Sequence, residues 1–248
     1  MTPEPPSLAG RLFATPWLDL LRGQAACLGR ARDLLWLALG LAAGWWLYVP
    51  AHELLHAAGC LAAGGEVTRL EVSPVYGGAA LARVFPFVVA GGEYAGRLSG
   101  FDTGGSDFVY LATDLAPFVL TLFPGVWLLR LTARKRLAFP FGASLPFALA
   151  PFLSAPGDAY EIGSVIVTRL GPLARPAARE LLRGDDVARV ALAVEAAGGG
   201  PLLWTGLVAA ALVGLLWAFL TYGAGGLLAA ALGQRPMRPA TRGVPAGR

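Results

Sequence analysis

His52-Glu53-Leu54-Leu55-His56 lies near the end of the apolar run 34–63. The two histidines are the only ones among 248 residues, and Glu53 is the only Asp, Glu, Lys or Arg in that run. Residues four apart share one face of a helix. Two imidazoles placed in this way can hold a zinc ion, and the adjacent carboxylate can activate a zinc-bound water. The competing reading is a chance match in an apolar helix, since short motifs arise by accident. Against it stand the use of both histidines and the cost of a lone carboxylate in lipid.

Composition sets the surroundings of the motif. Hydrophobic residues make up 56% of the chain and charged residues 15%, with a mean hydropathy of +0.59. Soluble domains carry about 25% charged residues, so an integral, multi-pass protein of the lipid bilayer is expected. The net charge of +4 comes from 19 arginines and Lys135 against 16 acids. No clustered basic face is evident, so no nucleic-acid partner is expected. The arginine bias, with abundant Ala and Gly, suggests a GC-rich genome and hence a prokaryotic cell membrane. Cys27 and Cys60 do not form a disulfide framework. The first 33 residues lack the long apolar core and small-residue cleavage site of a signal peptide.

The fold class predicted is an all-α polytopic membrane protein with about four transmembrane helices. Residues 1–33 form an N-terminal segment: 1–10 Pro-rich and disordered, 11–32 either an amphipathic helix on the membrane surface or a plain juxtamembrane extension. A membrane domain follows over 34–233, with spans at 34–63, 108–130, 137–170 and 201–233. Pro50 is expected to kink the first span. The third contains Pro140, Pro146, Pro151 and Pro156 and is expected to be broken, which a membrane tolerates where protein or water satisfies the freed backbone. Between the first two spans, 65–106 predicts a small β-hairpin and loop. Strands at 66–72 and 79–85 flank Pro74-Val75-Tyr76-Gly77-Gly78. Residues 85–90 suit a strand or a membrane-dipping loop, and 91–107 a glycine-rich loop. Residues 171–200 form a polar surface segment, and 234–248 a disordered basic tail. Four spans put the N-terminus, the 130–136 turn and the tail on one side. That side holds twelve basic residues against eight, which favours cytoplasmic termini.

A catalytic zinc usually takes three protein ligands and keeps one open position. With no third histidine, the remaining ligand must be an acid or Cys; the candidates are Asp114, Asp158, Glu161 and Cys60. At a rise of ~1.5 Å per residue, His52 lies ~27 Å, Asp158 ~31 Å and Asp114 ~24 Å from the inner ends of their spans. Glu161 falls about one turn further out, at ~36 Å. Cys60 continues the histidine face one turn on and is expected to pack.

The motif in a transmembrane helix, with an intramembrane aspartate about a hundred residues later, resembles the site-2 protease class of intramembrane zinc metalloproteases. The resemblance covers the first and third spans. It implies zinc binding by His52, His56 and Asp158, Glu53 as general base, and hydrolysis of peptide bonds in membrane-anchored proteins by zinc-bound water. Many members carry the aspartate as Leu-Asp-Gly after an Asn-Pro-rich segment. This chain has Phe152-Leu153-Ser154-Ala155-Pro156-Gly157-Asp158-Ala159, as a divergent branch would. Asp114 is expected to orient a histidine or to line a water path. The alternatives are a gluzincin-type protease using Glu161, or a membrane scaffold or transport protein with a structural or accidental metal motif.

Overall fold

The computed structural model describes residues 8–236. The Pro-rich start at 1–7 and the basic tail from 237 onward lie outside them. Helix α1 (Leu8–Cys27) leads into α2 (Ala31–Ala62). Asp33 starts α2: its carboxylate accepts from the Arg30 and Gly29 backbone amides at 2.8 and 3.1 Å, filling donors that a helix start leaves open. The helix runs uninterrupted through Pro50. It ends where Gly64, at φ 93°, takes the left-handed conformation that glycine adopts cheaply.

A three-stranded sheet follows, made of β1 (Glu66–Val72), β2 (Val88–Ala90) and β3 (Gly96–Asp102), in the order β2-β1-β3. β1 pairs with β2 in parallel and with β3 in antiparallel. The expected hairpin is therefore corrected. Its second arm is not a strand: Pro74–Tyr76 forms a 3₁₀ turn and α3 (Gly78–Leu81) a single helical turn. Ala79-Ala80-Leu81 favours helix over strand, and Gly77, at φ 82°, makes the reversal between the two turns. Residues 91–107, expected as a loop, contain β3. Its glycines hid it, because Gly100 lies where a Cβ would meet the β1 backbone at Arg69.

The second span comprises α4 (Asp107–Leu115), a 3₁₀ turn at Ala116–Phe118, a widened turn at Thr121–Gly125 and α5 (Val126–Arg134). The third is α6 (Ala138–Leu153) and α7 (Asp158–Val167), broken as expected. α8 (Pro176–Leu182) and α9 (Val187–Ala196) cover one end, and α10 (Pro201–Ala231) closes the bundle. Among the described residues, four segments of 28 to 32 residues are long and apolar enough to cross a membrane. The chain is thus mostly helical, and its spans fall within a few residues of those predicted.

Close backbone-to-backbone contacts, among them those of α2 with α6 and of α7 with α10, hold the bundle. A Cβ on Gly44 would lie 2.3 Å from the Ala143 carbonyl oxygen, and one on Gly142 2.1 Å from that of Leu37, so α2 and α6 touch closely. Gly163 meets the Ala210 carbonyl and Gly214 that of Ala159 in the same way, joining α7 to α10. Small residues of this kind let membrane helices approach.

The N-terminal helix also differs from expectation. α1 begins at Leu8, inside the stretch expected to be disordered, and is docked against the bundle. Asp19, 2% exposed, receives Arg130 Nε at 2.8 Å and the Tyr222 hydroxyl at 3.1 Å. Arg130 also donates to the carbonyls of Gly226 (2.8 Å) and Gln234 (3.3 Å). Arg134 donates to those of Gly233 and Arg235. The start of the tail is therefore tied down, and α1, the α5–α6 turn and the end of α10 meet at one end of the molecule. Asp19→Ala leaves Arg130 buried without its partner, which typically costs about 3–5 kcal/mol. Thermal unfolding in detergent is expected to show a lowered midpoint for this variant, and a smaller loss for Asp19→Asn.

Candidate metal centre

α2 presents Tyr48, His52, His56 and Cys60 at four-residue steps along one face. α7 begins at Asp158, with Gly157 in the preceding cap position. Its carboxylate meets both imidazoles: His52 Nε2 is 3.1 Å from Asp158 Oδ2, and His56 Nε2 is 3.6 Å from Oδ1. The two Nε2 atoms are 3.1 Å apart. Asp158 Oδ2 makes no hydrogen bond in spite of its closeness to His52. The ligand atoms of the three side chains all lie within 4.8 Å of one another. Among the described residues this is the one group of three His, Cys, Asp or Glu side chains close enough to share a metal ion.

The second nitrogen of each ring is engaged. His56 Nδ1 lies 2.9 Å from the Thr113 carbonyl oxygen. A carbonyl only accepts, so Nδ1 carries the proton and Nε2 keeps its lone pair. His52 Nδ1 lies 2.7 Å from the Tyr48 hydroxyl, which can accept from Nδ1 and leave that Nε2 free as well. Such outer partners set the ring orientation and tautomer of a metal ligand. Sequence reasoning did not name Tyr48, although its place four residues before His52 is a legible signal. The Thr113 carbonyl leaves no trace in the sequence.

Both histidines are 8% exposed, while the Asp158 side chain keeps 17% exposure. The site opens through Asp158 and Glu53 into a cavity of about 550 Å³. An adjoining cavity of about 460 Å³ shares Glu53 and Asp158 and is bordered by Trp45, Tyr48, Val49 and Leu153. Glu53 lies across the start of β3: a Cβ on Gly96 would sit 2.3 Å from Glu53 Cγ. Gly96 thus makes room for the carboxylate, and nothing in the sequence marked it.

The other candidates stand apart from the trio. Asp114, 3% exposed, follows Thr113 and lines the larger cavity. Neither imidazole takes it as partner: their Nδ1 atoms are held by Tyr48 and Thr113. Glu161 accepts the Tyr110 hydroxyl and lines the same cavity. Cys60 is buried, its thiol 3.6 Å from the Glu66 carbonyl.

Removing an outer partner of a ligating histidine typically costs about 10–100-fold in metal affinity. Tyr48→Phe keeps the ring and deletes the hydroxyl, so chelator competition is expected to show metal affinity weaker by about tenfold or more. Unchanged affinity would remove Tyr48 from the site. Compared with protein-family models, with curated proteins and with solved structures, the chain matches none.

Proposed function

We propose that this protein is a membrane-embedded, zinc-dependent endopeptidase that hydrolyses peptide bonds of membrane-associated proteins. The observation that carries the reading is the meeting of His52 and His56 with Asp158, from a different span, beside Glu53 at an open cavity. The donor set fits zinc. Tetrahedral bonds of about 2.0–2.1 Å require donors about 3.3 Å apart, and the separations are 3.1, 3.1 and 3.6 Å. Two imidazoles and one carboxylate leave the fourth position to the cavity side.

Bound zinc would supply Lewis acidity, polarising the scissile carbonyl and making water a nucleophile near neutral pH. The chain's own groups do the rest. Glu53 takes a proton from the attacking water and later delivers it to the departing amine. Asp158, at the first turn of α7, is favoured as a carboxylate by the helix dipole. β3 borders the cavity through Gly96, Arg97, Leu98 and Ser99. Among the described strands it pairs only with β1, so its other edge can take an extended polypeptide as an added strand. Glu161 is engaged by Tyr110 rather than by the histidines, which favours Asp158 as third ligand over the gluzincin arrangement. The twelve basic residues that four spans put on the side of the termini and the α5–α6 turn, against eight on the other, favour cytoplasmic termini.

Metal analysis of purified protein tests the ligand set. Zinc is expected at one per chain, lost in His52→Ala, His56→Ala and Asp158→Ala and kept in Glu161→Gln. Glu53→Gln is expected to keep the metal and lose about 10²–10⁴-fold in cleavage rate. Retained biological activity in Glu53→Gln would indicate a scaffold or transport protein instead. Gly96→Ala drives a methyl group into Glu53. It is expected to lower cleavage by about tenfold or more through misplacement of the base, with metal content unchanged; wild-type cleavage would show that Glu53 does not depend on that space.

A further inference from the structure

We propose that the end of the cavity lined by Asp114 and Glu161 is a subsite for a basic side chain of the bound polypeptide, a guanidinium or ammonium. The inference rests on the endopeptidase reading for its polypeptide ligand.

The larger cavity is bordered by six acids and, besides His56, by one base, Arg97. Asp158 faces the histidines and Glu53 is the base of the reaction. Asp185 is held by Arg97 at 2.9 Å. Asp186 caps α9, accepting from the Ala188 and Arg189 amides at 2.8 and 3.2 Å. Asp114 and Glu161 remain. They are 3% and 9% exposed, and among the described residues neither forms an ion pair. Asp114 Oδ2 has no hydrogen-bond partner at all. Glu161 receives one neutral donor, the Tyr110 hydroxyl.

Buried carboxylates are normally paired with a cation or a metal. A second metal is not favoured, since two carboxylates and a phenol fall short of a donor set and the described residues give only the one three-residue cluster. The missing cation is therefore assigned to the ligand. Helix geometry puts it close to the reacting bond. Tyr110 and Asp114 are one turn apart on α4, as Asp158 and Glu161 are on α7. Glu161 is then about 4.5 Å along the helix from the metal-facing carboxylate, within reach of a side chain beside the scissile bond.

The adjoining cavity supplies the complement. Trp45, Tyr48, Val49 and Leu153 give it an apolar wall beside the Glu53 and Asp158 that it shares with the larger cavity. A polypeptide crossing the centre would place an apolar residue there and its basic residue against Asp114 and Glu161. Membrane-anchored proteins present this pattern where a span ends in Lys or Arg.

The test uses full-length Glu53→Gln protein in nanodiscs, loaded with zinc. The probes are fluorescent, N-acetylated, C-amidated heptapeptides of Leu and Ala carrying one arginine, moved through each position. Each has a twin with citrulline, which keeps the shape and loses the charge. At one position the arginine peptide is expected to bind about tenfold tighter or more than its twin. That gap is expected to close when Asp114→Asn or Glu161→Gln is added, at unchanged zinc content. Thermal melting shows which variants fold; if Asp114→Asn does not, Glu161→Gln decides. Equal binding of the twins at every position, or a gap that persists in the folded variants, overturns the subsite. The outcomes separate the two claims. A charge gap without cleavage of any peptide by the unsubstituted protein sinks the endopeptidase reading alone. Cleavage of both twins with equal kcat/KM and equal affinity sinks the subsite alone.

Discussion

A helix packed backbone to backbone against another leaves no room for a side chain between them, and two such contacts decide where Asp158 stands. Gly44 and Gly142 seat α6 on α2, while Gly163 and Gly214 seat α7 on α10. The chain has to change direction between the two seats, and it does so at Ser154–Gly157. The Ser154 carbonyl accepts from both Gly157 N, at 3.0 Å, and Ala159 N, at 3.2 Å, so the break satisfies its own backbone, as a non-aqueous setting demands. Asp158 is the first residue after that break. Its carboxylate therefore projects from a helix start toward α2 and not from a helix side toward lipid.

The same constraint explains why the polar interactions occur in layers. At one end, Asp19, Arg130 and Tyr222 tie α1 to α5 and α10. At the other, Asp107 takes Arg183 at 2.6 Å and Arg169 at 2.8 Å, joining the starts and ends of α4, α7 and α8. Beside the cavity, Arg97 bonds Asp185 across the gap between the start of β3 and the segment before α9. The guanidinium groups of Arg97 and Arg189 each lie 5.5 Å from the Tyr94 ring, a cation–π distance. These contacts fix the bundle on either side of the candidate metal centre.

What the sequence made legible follows from which patterns are periodic. Apolar length located four spans, and prolines located the break between α6 and α7. Four-residue spacing put His52 and His56 on one face, and counting ~1.5 Å per residue brought Asp158 to their level. Partners distant in sequence and chosen by packing left no such mark. Asp19 meets Arg130 across 111 positions, and the Thr113 carbonyl meets His56 across 57. β3 was hidden because its glycines serve close approach, at Gly96 to Glu53 and at Gly100 to β1. The hairpin was misjudged because Gly-Gly can end a strand by starting a helix as readily as by turning back.

The placement of acids within the spans ties the fold to the chemistry. The four membrane-length segments contain six of them. Asp33 and Asp107 sit at helix starts away from the cavity: Asp33 caps α2, and Asp107, in the first turn of α4, pairs with Arg169 and Arg183. The other four are Glu53, Asp114, Asp158 and Glu161, and all four border one cavity. They come from three spans, and the fourth, α10, has no charged residue. Carboxylates scattered at random through apolar helices would face lipid or one another. These four converge on one open space beside two histidines, and α10, which has no charged residue, packs against α7 through Gly214 and Ala210.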